Sequence, residues 1–353
     1  LFGASILLVI IWSVMEKRWI FPRTPLDYFF LAYIFIELLT SATAVYPAEA
    51  LNHSRRLLLI IFVYLIILSF TTQKRIILLL IVLNSVTSFL SIIEIIFYFV
   101  EHQERLFVFQ HYMTTGGIKM ILCLLTIPFL IHRDTPKKQK IIFSITLLPI
   151  FIALILTNTR SSWLGFLAGI IAISFLMNKK LLIVLGSFII LFFLFAPQHQ
   201  IERAKSIVDL SHPSNYGRLN MWKTGIKIWK DYPFLGVGDT DLHKFYEKYK
   251  SVDDTETGGH LHNNFITLLV TLGAIGLIVL LILFIKIGII EYTYAKEYKN
   301  NWLIGSIATG AFAAFIGFQI NGIFEWNFGD HEIMIFIWFT VGLCLASVKT
   351  QNS

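Results

Sequence analysis

Charged side chains are scarce in this sequence: Asp, Glu, Lys and Arg make up 14% of its 353 residues, against roughly 25% in a soluble domain. That shortage excludes a soluble fold. Cysteine is nearly missing, and Cys123 and Cys344 both fall inside apolar runs. They read as packing residues and carry no information about redox compartment. The alternating pattern of a membrane β-barrel, about ten residues per strand, is absent. No internal repeat is apparent, which weakens a transporter built from duplicated halves. Leu1 opens an apolar segment without an initiator Met, so further residues upstream are expected, and no cleavable signal can be read.

What the chain has instead is apolar sequence, 56% of it, with a mean hydropathy of +0.72. Runs long enough to cross a bilayer, roughly 17–25 residues, recur along its length. Candidate spans lie at about 2–15, 26–44, 55–71, 76–99, 112–131, 141–157, 162–178, 181–196, 262–285, 302–323 and 331–347. The expected fold is an all-α polytopic membrane protein, a helical bundle of about eleven spans. It divides into an N-terminal membrane bundle (1–196), a polar insertion (197–261) and C-terminal membrane helices (262–353).

The net charge of +7 is informative by position. The odd-numbered gaps between spans are rich in Lys and Arg, with Arg133, Lys137, Lys138 and Lys140 in one alone. The short even-numbered gaps hold only Arg55, Arg56, Arg105 and Arg160. This asymmetry assigns the odd gaps to the cytoplasm. The 197–261 insertion is too long to obey that rule and falls outside with the even gaps. No nucleic-acid partner is expected.

The insertion carries helical patterns of its own. Leu219, Trp222, Ile226 and Trp229 recur at helical spacing, and so do Leu242, Phe245, Tyr246 and Tyr249, with YPFLGVGD as a turn between them. Tryptophan- and lysine-bearing amphipathic helices would lie on the membrane interface or cap the bundle as a lid.

Three outward segments could carry chemistry. TNTRSSW sets Arg160 in a link of a few residues, where it could bind an anion or snorkel to headgroups. NYGRLNMW sets Arg218 at the start of an amphipathic helix, where a phosphate contact or a solvated face both fit. HLHNN sets His260 and His262 against an apolar run. A His-x-His pair can ligate a metal, but only the loop acids Asp253, Asp254 and Glu256 stand nearby, and no metal is expected. His262 is expected in the first turn of the span. There the positive end of the helix disfavours imidazolium, leaving a neutral ring able to accept a proton. Asn263 and Asn264 could orient that ring or a ligand. Two arginine forks could hold a diphosphate and take up charge as it leaves, without a metal.

In that order, TNTRSSWLGFLAG, GRLNMWKTGIKIWKDYPFLGVGD and GHLHNNFITLLVTLGAIGL, with one large outer loop, resemble the O-antigen ligase and polymerase superfamily. The resemblance covers about 150–345 by motif and the remainder by topology. It implies a bacterial inner-membrane glycosyltransferase of GT-C-like architecture without a cofactor, having twelve spans if one precedes Leu1, and a periplasmic active site. The donor would be an undecaprenyl-diphosphate-linked glycan. The acceptor would be lipid A-core in the ligase branch, the carrier-bound chain in a polymerase, or a protein hydroxyl in an O-oligosaccharyltransferase. A single large loop leans towards the ligase. By motif, His262 would be the base, with Arg160 and Arg218 on the diphosphate, and transfer would invert the anomeric carbon.

Further polar residues are weaker candidates. His260 belongs to the same motif. Lys119, near the outer end of its span, could reach the diphosphate or snorkel. Glu37 and Glu94 lie inside spans and need partners, with Arg55 or Arg56 available to pair. Glu325 and Asp330 in FEWNFGDHE could orient the acceptor, though Asp330 also suits an N-cap. Gly273 and Gly276 are expected only to permit close helix packing. A lipid-linked sugar transporter is the reading from another class; it would need polar residues along a path, whereas these candidates gather at one face.

Overall fold

Peptide groups in hydrocarbon find no water, so a spanning chain must satisfy its own backbone, and helices do so locally. The computed structural model describes residues 22–351. They form α1 (Asp27–Ala42), α2 (Pro47–His53), a 3-10 turn (Ser54–Ile60) running into α3 (Ile61–Ser69), α4 (Gln73–Val100), α5 (Tyr112–Ile131), α6 (Lys137–Leu156) and α7 (Arg160–Leu176). Then follow α8 (Leu181–Phe195), α9 (Gln198–Lys205), α10 (Pro213–Asp231), α11 (His243–Tyr249), α12 (Asn264–Glu297), α13 (Trp302–Gly322) and α14 (His331–Lys349). No strand occurs among the described residues. The chain is thus an all-α, multi-pass membrane protein. Among the described residues, seven stretches are long and apolar enough to span: 47–69, α4, α5, α6, α12, α13 and α14. The helices α1, α7 and α8 stand where further spans were expected but have 16, 17 and 15 residues. The expected span at 2–15 lies outside the described residues.

Helices α5 and α13 run through the middle of the bundle, with α13 packed on α5, α7, α12 and α14. Small residues allow this. A Cβ at Gly165 of α7 would come within 2.5 Å of the Gly317 carbonyl of α13, so the two backbones are nearly in contact. Helix α8 packs at the edge and buries no residue.

Gly273 does more than ease packing. It adopts φ 67° and ψ −176° and breaks α12 into two helices. The break frees carbonyls before it and amides after it, and the YPFLGVGD turn takes up both. Val237 and Gly238 donate to the Val270 and Thr271 carbonyls at 2.9 Å, while Ala274 and Ile275 donate to the Pro233 and Phe234 carbonyls at 2.9 and 3.2 Å. A side chain at Gly273 would stand 2.2 Å from the Phe234 carbonyl. Broken helices persist in membranes where protein backbone supplies the missing bonds, as here.

The insertion is consequently a fixed cap. Met221 and Ile228 of α10, Phe245 and Tyr246 of α11, and Leu261 and Val270 share one small core. Below it, Arg56 joins the cap to the bundle, its guanidinium 2.9 Å from Glu37 of α1 and 3.1 Å from Asp239 of the turn. Glu37 therefore has the arginine partner that burial demands.

Candidate active site

Helix α6 ends at Leu156, and Asn158 then adopts φ 50°, a left-handed residue of the kind that closes helices. This short reversal makes Arg160 the first residue of α7. Its guanidinium makes four hydrogen bonds: to the Ser206 carbonyl (2.6 Å) and hydroxyl (2.9 Å), the Ser214 hydroxyl (2.5 Å) and the Asn215 amide oxygen (2.9 Å). All four acceptors are neutral. Snorkelling is therefore not its role; Arg160 is buried and turned toward the cap.

Two more guanidiniums converge there. Arg105 and Arg203 donate to the same carbonyl, that of Asn158, at 3.2 and 3.1 Å. Arg105 also lies over the Tyr112 ring at 4.0 Å. With Arg218 of α10 they line a cavity of about 140 Å³ whose other walls include Leu164, Trp222 and Phe324. Among the described residues, Arg105, Arg160 and Arg203 have no carboxylate partner, and Arg218 has only Glu325, at 3.6 Å. The Arg218 Nε is buried without an acceptor. Such a cavity suits an anion with several oxygens.

His262 stands beside this cavity but not where helix periodicity puts it. It lies one residue before the N-cap of α12, at φ 44°, because Asn263 takes the capping position and accepts from the Ile266 amide at 3.0 Å. A carboxylate therefore governs the ring, in place of the expected first-turn field. His262 Nδ1 lies 2.7 Å from Glu325 Oε1. A carboxylate only accepts, so Nδ1 donates, and Nε2 is the ring nitrogen left to meet a ligand. Glu325 is buried. Burial raises its pKa, but the hydrogen bond from His262 and the charges of His262, Arg218 and His260 outweigh that and hold it below the usual carboxylate range.

The two asparagines act on the backbone, not on the ring. Asn263 donates to the Ile323 carbonyl at 2.8 Å, and Asn264 accepts from the Phe328 amide at 3.0 Å. Together they pin the 323–328 turn against the histidines, which brings Glu325 to His262 across 63 residues of sequence. His260 stacks near His262, ring centres 4.3 Å apart, with its side chain 46% exposed. Partial burial, then the charge of His262, keep it below the ordinary imidazole range.

Residues 145–281 match the O-antigen ligase (Wzy_C) family model. No curated protein matches the chain. The matched segment starts within α6 and ends within α12, so it contains Arg160, Arg203, Arg218, His260 and His262. Arg105 and Glu325 lie outside it and complete the same site from the loop before α5 and the turn after α13. Sequence reasoning passed over Arg105 and Arg203; the one available signal was that Arg105 is among the few cations in the short even-numbered gaps. It also missed His111, the N-cap of α5, whose pKa burial holds low against the pull of Glu325.

Two other expected residues serve elsewhere. Lys119 neither reaches the arginine cavity nor snorkels. Its ammonium lies 2.8 Å from Glu94 and 2.8 Å from the Ser91 hydroxyl, buried between α4 and α5. Asp330 caps α14, accepting from Glu332 and Ile333 at 3.1 Å, and takes the Thr114 hydroxyl at 2.5 Å. Capping, rather than acceptor orientation, accounts for its contacts. Finally, His260, His262 and Glu325 offer three ligand atoms within 4.8 Å of one another. The His262 atom in contact already donates its proton to Glu325, and a guanidinium stands 3.6 Å from the other carboxylate oxygen. That setting is unfavourable to a divalent cation.

Proposed function

We propose that this chain is an O-antigen ligase-type glycosyltransferase, which moves a glycan from undecaprenyl diphosphate to lipid A-core at the periplasmic face of the bacterial inner membrane. One observation carries the reading: four arginines line one cavity with a single carboxylate among their contacts, beside a histidine whose Nδ1 is held by that carboxylate. The diphosphate binds the guanidiniums. His262 Nε2 takes the proton from the acceptor hydroxyl, whose oxygen attacks the anomeric carbon from the face opposite the leaving group. The bond from that carbon to the diphosphate oxygen breaks, and its electron pair stays on the diphosphate, where the arginines compensate the new charge. The configuration inverts. No metal is required, because the guanidiniums supply the positive charge. The architecture is GT-C-like, with α1, α7 and α8 among its spans.

The test uses purified protein in proteoliposomes with undecaprenyl-diphosphate glycan. Lipid A-core, carrier-linked glycan and a serine peptide are offered separately as acceptors. A new glycosidic bond to lipid A-core alone is expected, undiminished by EDTA, and His262→Ala should lower its rate by about 10²- to 10⁴-fold while donor binding persists. Extension of carrier-linked glycan would make the protein a polymerase. Donor crossing the bilayer with no bond formed would make it a transporter.

A further inference from the structure

The turn that carries Glu325 separates two chambers. Phe324 faces the arginine cavity, Glu325 holds His262, and Trp326 lines a second cavity of about 320 Å³. His260, beside His262, lines this second chamber too. A base between two chambers can serve a donor in one and an acceptor in the other, and the second chamber has a different chemistry from the first. Its wall is formed by Trp326, Asn52, Asp241, Arg55 and His331 around His260.

The charges there are distinguishable. Arg56 is buried and already neutralised by Glu37 and Asp239. Arg55 is exposed, donates only its Nε to the Asn52 carbonyl at 2.8 Å, and pairs with no carboxylate among the described residues. His331 and His53 are likewise exposed on the rim. Asp241 is exposed and spends one carboxylate oxygen on the His243 amide at 3.0 Å. A half-buried indole offers a flat apolar face, which fits the C–H face of a sugar ring. Amide and carboxylate oxygens fit its hydroxyls, and a free guanidinium fits an anionic substituent.

From this we infer that the second chamber is the acceptor subsite, and that it takes a sugar carrying a negatively charged group, with Arg55 recognising that charge and Trp326 stacking on the ring. The inference rests on the transferase reading above and adds where the acceptor sits and which residues read its charge. A neutral peptide acceptor would leave the guanidinium without a counterpart. The ring held on Trp326 would present its hydroxyl toward His260 and His262, across from the diphosphate.

Equilibrium binding of lipid A-core oligosaccharide to the full chain, without donor, tests this apart from transfer. Arg55 is exposed, so Arg55→Gln should fold normally. The variant should weaken binding and raise the acceptor KM by about fivefold, leaving kcat and the donor KM unchanged. Enzymatic removal of the oligosaccharide's phosphates should weaken binding to the wild type and abolish the difference between wild type and variant. Trp326→Leu should weaken both forms of the oligosaccharide alike. Binding that follows this pattern without any transfer would overturn the ligase reading and leave the subsite standing. No wild-type binding, equal binding by Arg55→Gln, a change confined to the donor KM, or tighter binding of a neutral serine peptide would each overturn the subsite.

Discussion

Two sets of buried or half-buried cations occupy this molecule, and they are held in opposite ways. Lys119 and Arg56 each meet carboxylates at salt-bridge distance: Glu94 for the first, Glu37 and Asp239 for the second. Their charge is cancelled within the protein, so they brace α4 on α5 and the cap on the bundle. Arg160 is as deeply placed, yet every one of its four acceptors is a neutral oxygen. Arg105 and Arg203 converge on one carbonyl. Those bonds fix the direction of the guanidiniums while leaving their charge uncompensated. Like charges gathered this closely in a partly desolvated site cost on the order of kcal/mol each, so the arrangement favours an anionic ligand that removes the cost. The kind of partner, more than the depth of burial, separates a bracing cation from a binding one.

The largest effect should come from breaking a brace. Lys119→Met leaves Glu94 buried without its counter-charge, a loss of roughly 3–5 kcal/mol, read as a lowered unfolding midpoint in detergent. Replacing the pair together, Lys119→Met with Glu94→Leu, should recover most of that stability. Transfer per folded molecule should be unchanged in the double variant. A double variant that folds well but no longer transfers would move Lys119 from the brace to the site.

A binding cation should behave in the reverse sense. Arg160→Lys keeps the positive charge but loses the planar fork, so it should cost about 100-fold in kcat/KM for the donor, with the unfolding midpoint nearly unmoved. Initial rates across donor concentrations, with thermal unfolding measured on the same preparations, separate the two. Near-normal transfer would mean that Arg160 braces the cap through Ser206, Ser214 and Asn215 and nothing more.

Much of this contrast could be read in the chain before its fold. Arg160, Arg218 and His262 stand in short motifs against apolar runs, where polar residues are costly and conspicuous. The two cap helices declared themselves by spacing, and the need of Glu37 and Glu94 for partners was legible, although only Glu37 took an expected one, Arg56, while Glu94 took Lys119. What escaped were pairings across long separations. Nothing local marks Glu325 as the partner of His262, because the 323–328 turn is delivered by backbone bonds from Asn263 and Asn264. Arg203 sits in a short polar helix and resembles any solvated cation. Gly273 was read as a packing residue because LGAIG continues an apolar helical pattern without a flaw. The break becomes necessary only when the turn from Pro233 to Gly238 docks against it, and a hydrophobic periodicity carries no sign of which carbonyls will be claimed by another segment.

Glu325 belongs to both sets, since it counters Arg218 and also holds His262, and its titration gives the smallest and most discriminating effect. Its pKa is depressed in the folded protein, so the linkage has a definite sign. As pH falls through the ordinary carboxylate range, near 4.3, the unfolded chain takes up this proton first while the native carboxylate stays charged. Stability contributed by Glu325 is therefore complete at neutral pH, declines below that range, and is gone once pH passes the folded pKa. Glu325→Gln has no proton to take up there, so its unfolding midpoint should fall less than that of the wild type as pH is lowered from 5 to 3. The comparison is between slopes, because every other carboxylate titrates in both proteins. Equal slopes would mean that Glu325 gains nothing from its neighbours when folded. The cationic cavity would then lack even the single counter-charge that ties its arginines to the histidine pair.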